Sequence, residues 1–172
     1  SFIIIFLGHL LSSYKYWKDA NKYYTFGAYE TSLLSYQKAY SQLNTNGAYL
    51  TNYGKALLES GNYSKAVSIL ERGAKLYPNT INYLALGDSY KALLLYQEAE
   101  QSYLYAWHMN PSRFYPKYLL ATLYRDSGQK EKAISVASEL LQKKIKVKSN
   151  AIIDMKEEME EIIKTKGHLN EK

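Results

Sequence analysis

The sequence predicts an all-α protein that consists of four stacked helical hairpins and a C-terminal capping helix. Three observations support this prediction. Marker residues recur along the chain at a spacing of 33 or 34 residues, apolar residues follow the period of a helix, and only 3 of the 172 residues are proline. The hydrophobic content of 47% and the charged content of 22% are close to the averages for globular proteins, so a disordered or fibrous chain is disfavoured.

The N-terminal segment is strongly apolar. Residues 1–11 read SFIIIFLGHLL and contain no Lys, Arg, Asp or Glu. A helix that crosses a bilayer needs about 20 apolar residues, so this segment is too short to cross alone. We interpret residues 1–12 as the end of a membrane helix, and a buried first helix of a soluble domain is the alternative. Lys15, Lys18 and Lys22 follow at once, and by the positive-inside rule they favour a cytoplasmic exit.

The remainder of the chain is organised by an internal repeat. Residues that recur 33 positions later mark it: Gly54 and Gly87, Ala66 and Ala99, Pro78 and Pro111. A further step of 34 leads from Ala99 to Ala133, and a step of 34 back from Gly61 leads to Gly27. The repeat predicts four units with these ranges: 13–46, 47–79, 80–113 and 114–147. Residues 148–172 remain as the capping helix and a tail.

Within each unit, the residue types predict two helices that approach each other closely. A small residue at the eighth position of a unit lets the paired helices touch, and a bulky residue at the eleventh position fills the remaining space. The small residues are Ala20, Gly54, Gly87 and Ala121, and the bulky ones are Tyr23, Leu57, Tyr90 and Tyr124. Gly27, Gly61 and Gly128 fall between the two helices, where a residue with positive φ ends the first helix at low cost.

These positions match the pattern W-x2-L-G-x2-Y, then A-x3-F, then P, of the tetratricopeptide repeat family. In the third unit the matching residues are Leu86, Gly87, Tyr90, Ala99, Tyr103 and Pro111. Residues 13–147 resemble that family. The resemblance implies a solenoid of helical hairpins with a right-handed superhelical twist, whose concave groove binds a protein or a peptide.

One turn departs from the pattern. Leu94 occupies the turn position at which the other units have glycine, and Leu95 follows it. A left-handed conformation at Leu94 would cost about 1–2 kcal/mol. The alternative is that the first helix of this unit runs longer. Two leucines in a turn also suggest an apolar contact patch.

The C-terminal segment has the spacing of an amphipathic helix. Its apolar residues are Ile152, Met155, Met159, Ile162 and Ile163, and its acidic residues Asp154, Glu157, Glu158, Glu160 and Glu161 fall on the other faces. We expect it to cap the repeats and its carboxylates to form a solvated face. The preceding KKIKVK, residues 143–148, is more typical of a solvated surface than of a site for lipid or nucleic acid. Only three arginines are present, so nucleic acid is a disfavoured partner.

No catalytic site is predicted, and we expect this segment not to be an enzyme. Gly87-Asp88-Ser89 resembles the start of a lipase-esterase motif, but it falls inside a repeat helix and has no Asp-x-x-His partner. The histidines His9, His108 and His168 are far apart, so neither a metal nor another cofactor is implied. The absence of cysteine excludes disulfides and cysteine-rich zinc sites.

A groove in such a protein is lined mainly by the first helix of each unit. The candidate binding residues are Trp17, Asn21, Tyr24, Thr51, Lys55, Leu84, Asp88, Lys91, Tyr115, Tyr118, Thr122 and Arg125. Family members that clamp a C-terminal carboxylate use paired Asn and basic positions. Asn21 and Asn52 match, but Trp17, Ile81 and Ala85 stand at the basic positions, which disfavours binding of a chaperone tail.

The aromatic members of this set suit another ligand chemistry. Trp17, Tyr24, Tyr115 and Tyr118 offer flat surface for stacking on prolines, aromatic side chains or sugar rings. The alternative is that several of these residues serve the packing of the helices.

A second resemblance covers nearly the whole chain. It rests on the apolar start and on four segments: NYGKAL (52–57), LGDSYKAL (86–93), NPSRFYPKYLLATLY (110–124) and KKIKVKSNAIIDMKEEME (143–160). These are similar to the soluble C-terminal extension of the Bacteroidetes O-antigen ligase or polymerase-like membrane proteins. The resemblance implies a non-catalytic scaffold domain of an inner-membrane glycan transferase of lipopolysaccharide biosynthesis, with glycan-assembly proteins as partners. The alternative is a free-standing, membrane-anchored adaptor for envelope assembly.

Overall fold

The computed structural model describes residues 2–143 and 149–164. Within these ranges the chain forms only α-helices, joined by short turns, so the all-α prediction is confirmed there. The helices are α1 (Phe2–Thr25), α2 (Tyr29–Leu43), α3 (Gly47–Glu59), α4 (Tyr63–Leu76), α5 (Thr80–Ala92), α6 (Tyr96–Met109), α7 (Tyr115–Asp126), α8 (Lys130–Gln142) and α9 (Asn150–Lys164).

The helices divide into two compact units, unit 1 (Ser1–Leu94) and unit 2 (Leu95–Lys172). In unit 1, α1 packs on α2 and α3 packs on α4, and α5 then lies against both helices of the second pair. In unit 2, α6 packs on α7, α7 pairs with α8, and α9 lies against α8 with a smaller contact to α7. Each unit therefore repeats one packing step, in which a new helix covers the pair before it.

The turns within three of the pairs are set by glycine. Gly27, Gly61 and Gly128 have φ of 73°, 74° and 77°, as the sequence predicts. At Gly61, the amide of Asn62 donates to the carbonyl of Leu57 and the amide of Gly61 donates to that of Leu58. This pair of bonds satisfies carbonyls that the end of α3 would otherwise leave without donors.

Leu94 adopts the same left-handed conformation without being glycine. Its φ is 60° and α5 ends at Ala92, so of the two alternatives the chain forms the left-handed turn and not the longer helix. The Leu94 side chain is 69% exposed and Leu95 is also exposed, so burial of these side chains does not offset the strain.

Close helix contact in unit 1 depends on a small side chain. A Cβ placed on Gly54 would lie 2.4 Å from Cγ of Leu70, well inside van der Waals contact. The prediction that a small residue lets paired helices touch is therefore confirmed at this position. Ala20 and Ala121, which occupy the matching positions of two other predicted units, are fully buried.

Buried tyrosines connect the first three helices. Tyr36 and Tyr49 are almost completely buried. The Tyr36 hydroxyl donates to Oδ1 of Asn21 over 2.6 Å, and the Tyr49 hydroxyl donates to the Tyr36 carbonyl over 2.5 Å. Burial raises the pKa of both phenols, with nearby tyrosines adding to the effect. One hydrogen-bonded path thus runs from α1 through α2 to α3.

The apolar segment at the start of α1 does not pack into this core. Ile3, Ile4, Ile5, Phe6 and Leu7 are all exposed, so the alternative of a buried first helix is wrong for these residues. Over the described residues, none of the helices combines the length and the apolar character that a bilayer crossing requires.

We predict that Leu94→Gly stabilises the protein by about 0.5–1 kcal/mol. Glycine removes left-handed strain of about 1–2 kcal/mol, and the greater backbone entropy of glycine in the unfolded chain cancels part of that gain. The free energy of unfolding from urea titration measures the effect. Leu94→Ala is the matched control, because alanine removes the exposed leucine side chain but keeps the Cβ. Equal stability of the two variants would contradict the strain argument.

Candidate functional site

The predicted binding residues of unit 1 lie on α1, α3 and α5, each of which is the first helix of one predicted repeat. These helices adjoin one another, since α3 contacts both α1 and α5. We call this surface the first-helix face of unit 1. The predicted residues on it are Trp17, Asn21, Tyr24, Thr51, Lys55, Leu84, Asp88 and Lys91.

A shallow and largely open cleft of ≈ 280 Å³ lies along one face of α1. It is lined by Tyr14, Trp17, Lys18 and Asn21. These residues are spaced at i, i+3, i+4 and i+7, which places them on one side of a helix. Trp17 and Asn21 are among the binding residues predicted from the sequence, whereas Lys18 is not, although its helical spacing from Tyr14 is the signal that identifies it.

Trp17 forms the inner wall of this cleft and also belongs to the core. Its ring packs on Tyr49 in an edge-to-face arrangement, with a centroid distance of 5.8 Å and an interplanar angle of 88°, and the ring of Tyr14 lies 5.9 Å from it. Asn21 likewise lines the cleft and contacts the core, because its Oδ1 accepts the hydrogen bond from the Tyr36 hydroxyl. The cleft is therefore held in place from below by the buried tyrosines.

A second feature of this face joins α1 to α3. The Lys55 ammonium lies 5.1 Å from the centre of the Tyr24 ring, a distance at which cation–π attraction acts. Burial raises the pKa of the Tyr24 hydroxyl, and the charge of Glu59 raises it further. Tyr24, Lys55 and Glu59 together present an aromatic surface flanked by charges of both signs.

The remaining predicted residues of unit 1 differ in accessibility. Thr51 is buried; its hydroxyl donates to the Gly47 carbonyl over 2.9 Å and accepts from Nδ2 of Asn82 over 3.0 Å. Thr51 thus joins α3 to α5, so it contributes to the packing of the helices, which is the alternative to a role in binding. Leu84, Asp88 and Lys91 are half-buried on α5.

In unit 2, the four predicted residues all lie on α7. Tyr115 and Tyr118 stack with their centroids 6.0 Å apart. Thr122 is buried and donates to the Leu119 carbonyl, so the packing alternative applies to it as well. Arg125 is partly exposed and pairs with its neighbour Asp126.

Glu158 of α9 engages two of these residues. One carboxylate oxygen accepts from the Tyr118 hydroxyl and the other from Nη1 of Arg125. The expectation that Glu158 belongs to a solvated face is wrong, because the packing of α9 on α8 brings this residue against α7. Burial and the bond to Glu158 raise the pKa of Tyr118 to about 12. Burial alone would raise the pKa of Glu158, but the bonds from Tyr118 and Arg125 lower it below its ordinary value.

Comparison with known proteins supports the repeat type over the first part of the chain. Residues 14–80 match the family model of YpiA-like, C-terminal tetratricopeptide repeats. Superkiller protein 3 of Schizosaccharomyces pombe is 32% identical over 92 residues, which are 53% of this chain but only 7% of that protein. The chain thus spans a small fraction of this curated relative.

Solved structures share the fold at lower identity. MamA from Desulfovibrio magneticus RS-1 has a TM-score of 0.70 and 19% identity, over 92% of this chain and 95% of that one. The first tetratricopeptide repeat domain of Spaghetti (RPAP3), bound to the HSP90 peptide SRMEEVD, has a TM-score of 0.64 and 21% identity, over 69% of this chain and 95% of that one. These similarities establish the fold.

We predict that Glu158→Gln lowers the free energy of unfolding by about 0.5–1 kcal/mol at pH 7, since it weakens two hydrogen bonds at a partly exposed site. The pKa of Glu158 is depressed in the folded state, so its stabilisation is present above the ordinary value of 4.5 and is lost as the pH falls through the folded value. The difference between the variant and the unchanged protein should therefore shrink in acid. Urea unfolding at pH 7 and pH 3.5 measures it.

The matched control is Glu157→Gln, which alters the neighbouring exposed carboxylate of α9. It should change stability by less than Glu158→Gln at both pH values. A difference for Glu158→Gln that stays constant with pH would contradict the assigned charge interaction.

Proposed function

We propose that this tetratricopeptide repeat protein is a non-catalytic scaffold that binds a segment of a protein partner on the first-helix face of unit 1. The observation that carries the proposal is the open cleft on α1, lined by Tyr14, Trp17, Lys18 and Asn21. The cleft offers aromatic area beside one cation and one amide. Such a surface recognises side chains and does not supply the paired acid and base that catalysis needs.

The chemistry of the face favours a segment with proline or aromatic side chains. Trp17 and Tyr24 provide flat surfaces whose positions are already fixed by Tyr49 and by Lys55, so little entropy is lost when a ligand stacks on them. The peptide-bound relative, Spaghetti (RPAP3), shows that this fold accommodates a peptide. An acidic tail of that kind is not our choice of ligand here, because Ile81 and Ala85 stand at the positions where basic residues would be expected.

We predict that Tyr14→Ala weakens peptide binding about tenfold or more, because it removes one aromatic wall of the cleft. Peptides are selected from a display library of random 12-residue sequences against the unchanged protein, and their dissociation constants are then measured by fluorescence anisotropy. Tyr14 is 45% exposed, so the fold is expected to survive the substitution. Trp17→Ala is less informative, because the indole also packs against the core.

Tyr16→Ala is the matched control. Tyr16 lies on the same helix and is also exposed, but it lies two residues and thus about 200° around the helix from Tyr14, beneath the Lys38 ammonium. Selected peptides should bind this variant as tightly as the unchanged protein. Equal binding to Tyr14→Ala would contradict the proposed site.

A second proposal concerns the membrane. The side chains of residues 3–7 are exposed at five successive positions, and successive positions are 100° apart, so they cover the whole circumference of α1. A protein partner would cover one side of such a helix, whereas lipid would cover all sides. We therefore propose that this segment attaches the domain to a membrane. Tyr14 and Trp17, with Lys15 and Lys18, follow it in the order typical of a membrane interface.

The parent protein that this arrangement fits is the membrane glycan ligase or polymerase suggested by the resemblance, with the repeats as a scaffold for glycan-assembly proteins. The alternative is a free-standing anchored adaptor. The coding sequence upstream of Ser1 separates the two, since several apolar helices there support the transferase and a single short basic stretch supports the adaptor.

We predict that the chain co-floats with phosphatidylcholine vesicles and that Ile4→Asp with Leu7→Asp reduces the bound fraction at least tenfold, because charged side chains are costly in the bilayer. The matched control, Leu34→Asp with Leu76→Asp, changes two exposed leucines on α2 and α4. It should leave flotation unchanged. Failure of the unchanged chain to float, or equal loss in the control, would contradict membrane attachment.

A further inference from the structure

A separate cavity lies in unit 2, and none of the predicted binding residues lines it. It has a volume of ≈ 300 Å³ and is formed by the C-terminal part of α6, the loop after it, α7 and the end of α8. Its lining consists of Trp107, Pro111, Lys117, Glu139, Leu140, Gln142 and Lys143. The volume is at the small end for ligand sites and suits a fragment of the size of one amino-acid residue.

The cavity contains an unusually enclosed cation. The Lys117 side chain is only 12% exposed, its ammonium lies 4.4 Å from the centre of the Trp107 ring, and it is ion-paired with Glu139. The stem of Lys117 is therefore enclosed by its neighbours, and the ammonium is held in one place beside Trp107 and Glu139 at the cavity. Glu139 itself is 64% exposed, so the anionic side of the pair remains open to solvent.

A second ammonium faces the same cavity. Nζ of Lys143 donates to the Pro111 carbonyl over 2.7 Å, which holds it at the rim. Among the lining residues that the structure describes, the charged groups are Lys117, Lys143 and Glu139, which together carry a net charge of about +1. A carboxylate would neutralise this charge, whereas a phosphate dianion would leave an excess negative charge beside Glu139.

The other residues that line the cavity indicate that the rest of the ligand is apolar. Leu140 is buried and forms an apolar floor, and Trp107 and Pro111 add apolar walls. Combining these features, we propose that this cavity binds a monocarboxylate with an apolar body, such as an apolar amino-acid residue with a free carboxylate. The ligand carboxylate pairs with the ammonium of Lys143 and with the side of the Lys117 ammonium that does not contact Glu139. The apolar part of the ligand packs on Leu140.

The two tryptophans of the chain allow a direct test. The probe is N-acetyl-leucine, and its neutral counterpart is N-acetyl-leucine amide. In ¹H–¹⁵N spectra of the full chain, the indole signal of Trp107 should shift saturably with the acid, while that of Trp17 in unit 1 should stay in place. A Trp17→Phe variant assigns the two signals. We expect a dissociation constant on the order of millimolar for so small a ligand, and binding of the amide at least tenfold weaker.

Two variants change the charge in opposite directions. Lys143→Gln should weaken binding of the acid about tenfold. Glu139→Gln raises the net charge of the cavity by one and should strengthen binding, a gain that misfolding does not produce. Lys130→Gln, at the exposed start of α8, is the matched control and should leave the dissociation constant unchanged.

Several results would overturn the proposal: equal affinity for acid and amide, equal shifts of both indole signals, no shift up to tens of millimolar, or inorganic phosphate binding more tightly than the acid. A five-residue peptide that ends in leucine identifies the source of the carboxylate. Tighter binding of this peptide indicates the C-terminus of a protein, and tighter binding of N-acetyl-leucine indicates a free small molecule; both results support the carboxylate site.

Discussion

The hydrogen bonds of Tyr36 are the constraint on which the candidate peptide site depends. Tyr36 is a buried residue of α2. Its hydroxyl donates to Oδ1 of Asn21 on α1, and its backbone carbonyl accepts from the hydroxyl of Tyr49 on α3. A buried hydroxyl without a partner costs about 1–3 kcal/mol, so each of these tyrosines fits only where its partner is in place. The relative position of the three helices is thereby specified more narrowly than apolar packing alone would specify it. Trp17 rests on Tyr49, so the inner wall of the cleft takes its position from the same hydrogen bonds.

Two tyrosines of unit 2 form hydrogen bonds of another kind. Tyr118 donates to Glu158, and Tyr124 donates to Glu100 over 2.7 Å. In both cases a phenol donates to a carboxylate of another helix near the surface, whereas the buried Tyr36 and Tyr49 of unit 1 donate to an amide oxygen and a carbonyl oxygen in the interior. The interactions of Glu158 therefore depend on pH. Those of Tyr36 and Tyr49 do not change until the phenols ionise, which burial shifts to more alkaline pH.

The sequence predicts the features that depend on one residue in a fixed register. The left-handed turns at Gly27, Gly61 and Gly128 and the contact at Gly54 follow from the recurrence of 33 or 34 residues, because the repeat indicates which residue type each position needs. At Leu94 the repeat leaves two alternatives, a left-handed turn and a longer helix, and the structure distinguishes them. The boundaries of the four repeat units and the membrane parent stay predictions.

Features that depend on how an element is rotated could not be predicted. The sequence of α9 shows an apolar stripe but does not indicate which acidic residue contacts α7, so the pattern alone predicts a solvated Glu158. Thr51 and Thr122 have the periodicity of groove residues, yet small polar side chains in that register pack inward and bond to the backbone. The cavity beside Lys117 combines residues of three helices and a loop, and no local pattern indicates that they meet.

Trp17 both lines the cleft and packs on the core, so ligand binding is coupled to the stability of unit 1. A ligand that stacks on the indole binds the folded state alone, because the cleft exists only while Tyr49 holds the ring, and binding therefore stabilises the fold by RT ln(1 + [L]/Kd). The converse also holds: a substitution that loosens the buried tyrosines displaces the wall of the cleft and weakens binding without touching the ligand. Tyr14 lines the same cleft from the exposed side, so it separates the two effects. For this reason, loss of binding in Tyr14→Ala reports on recognition, whereas the same loss in a Trp17 variant would report on recognition and folding together.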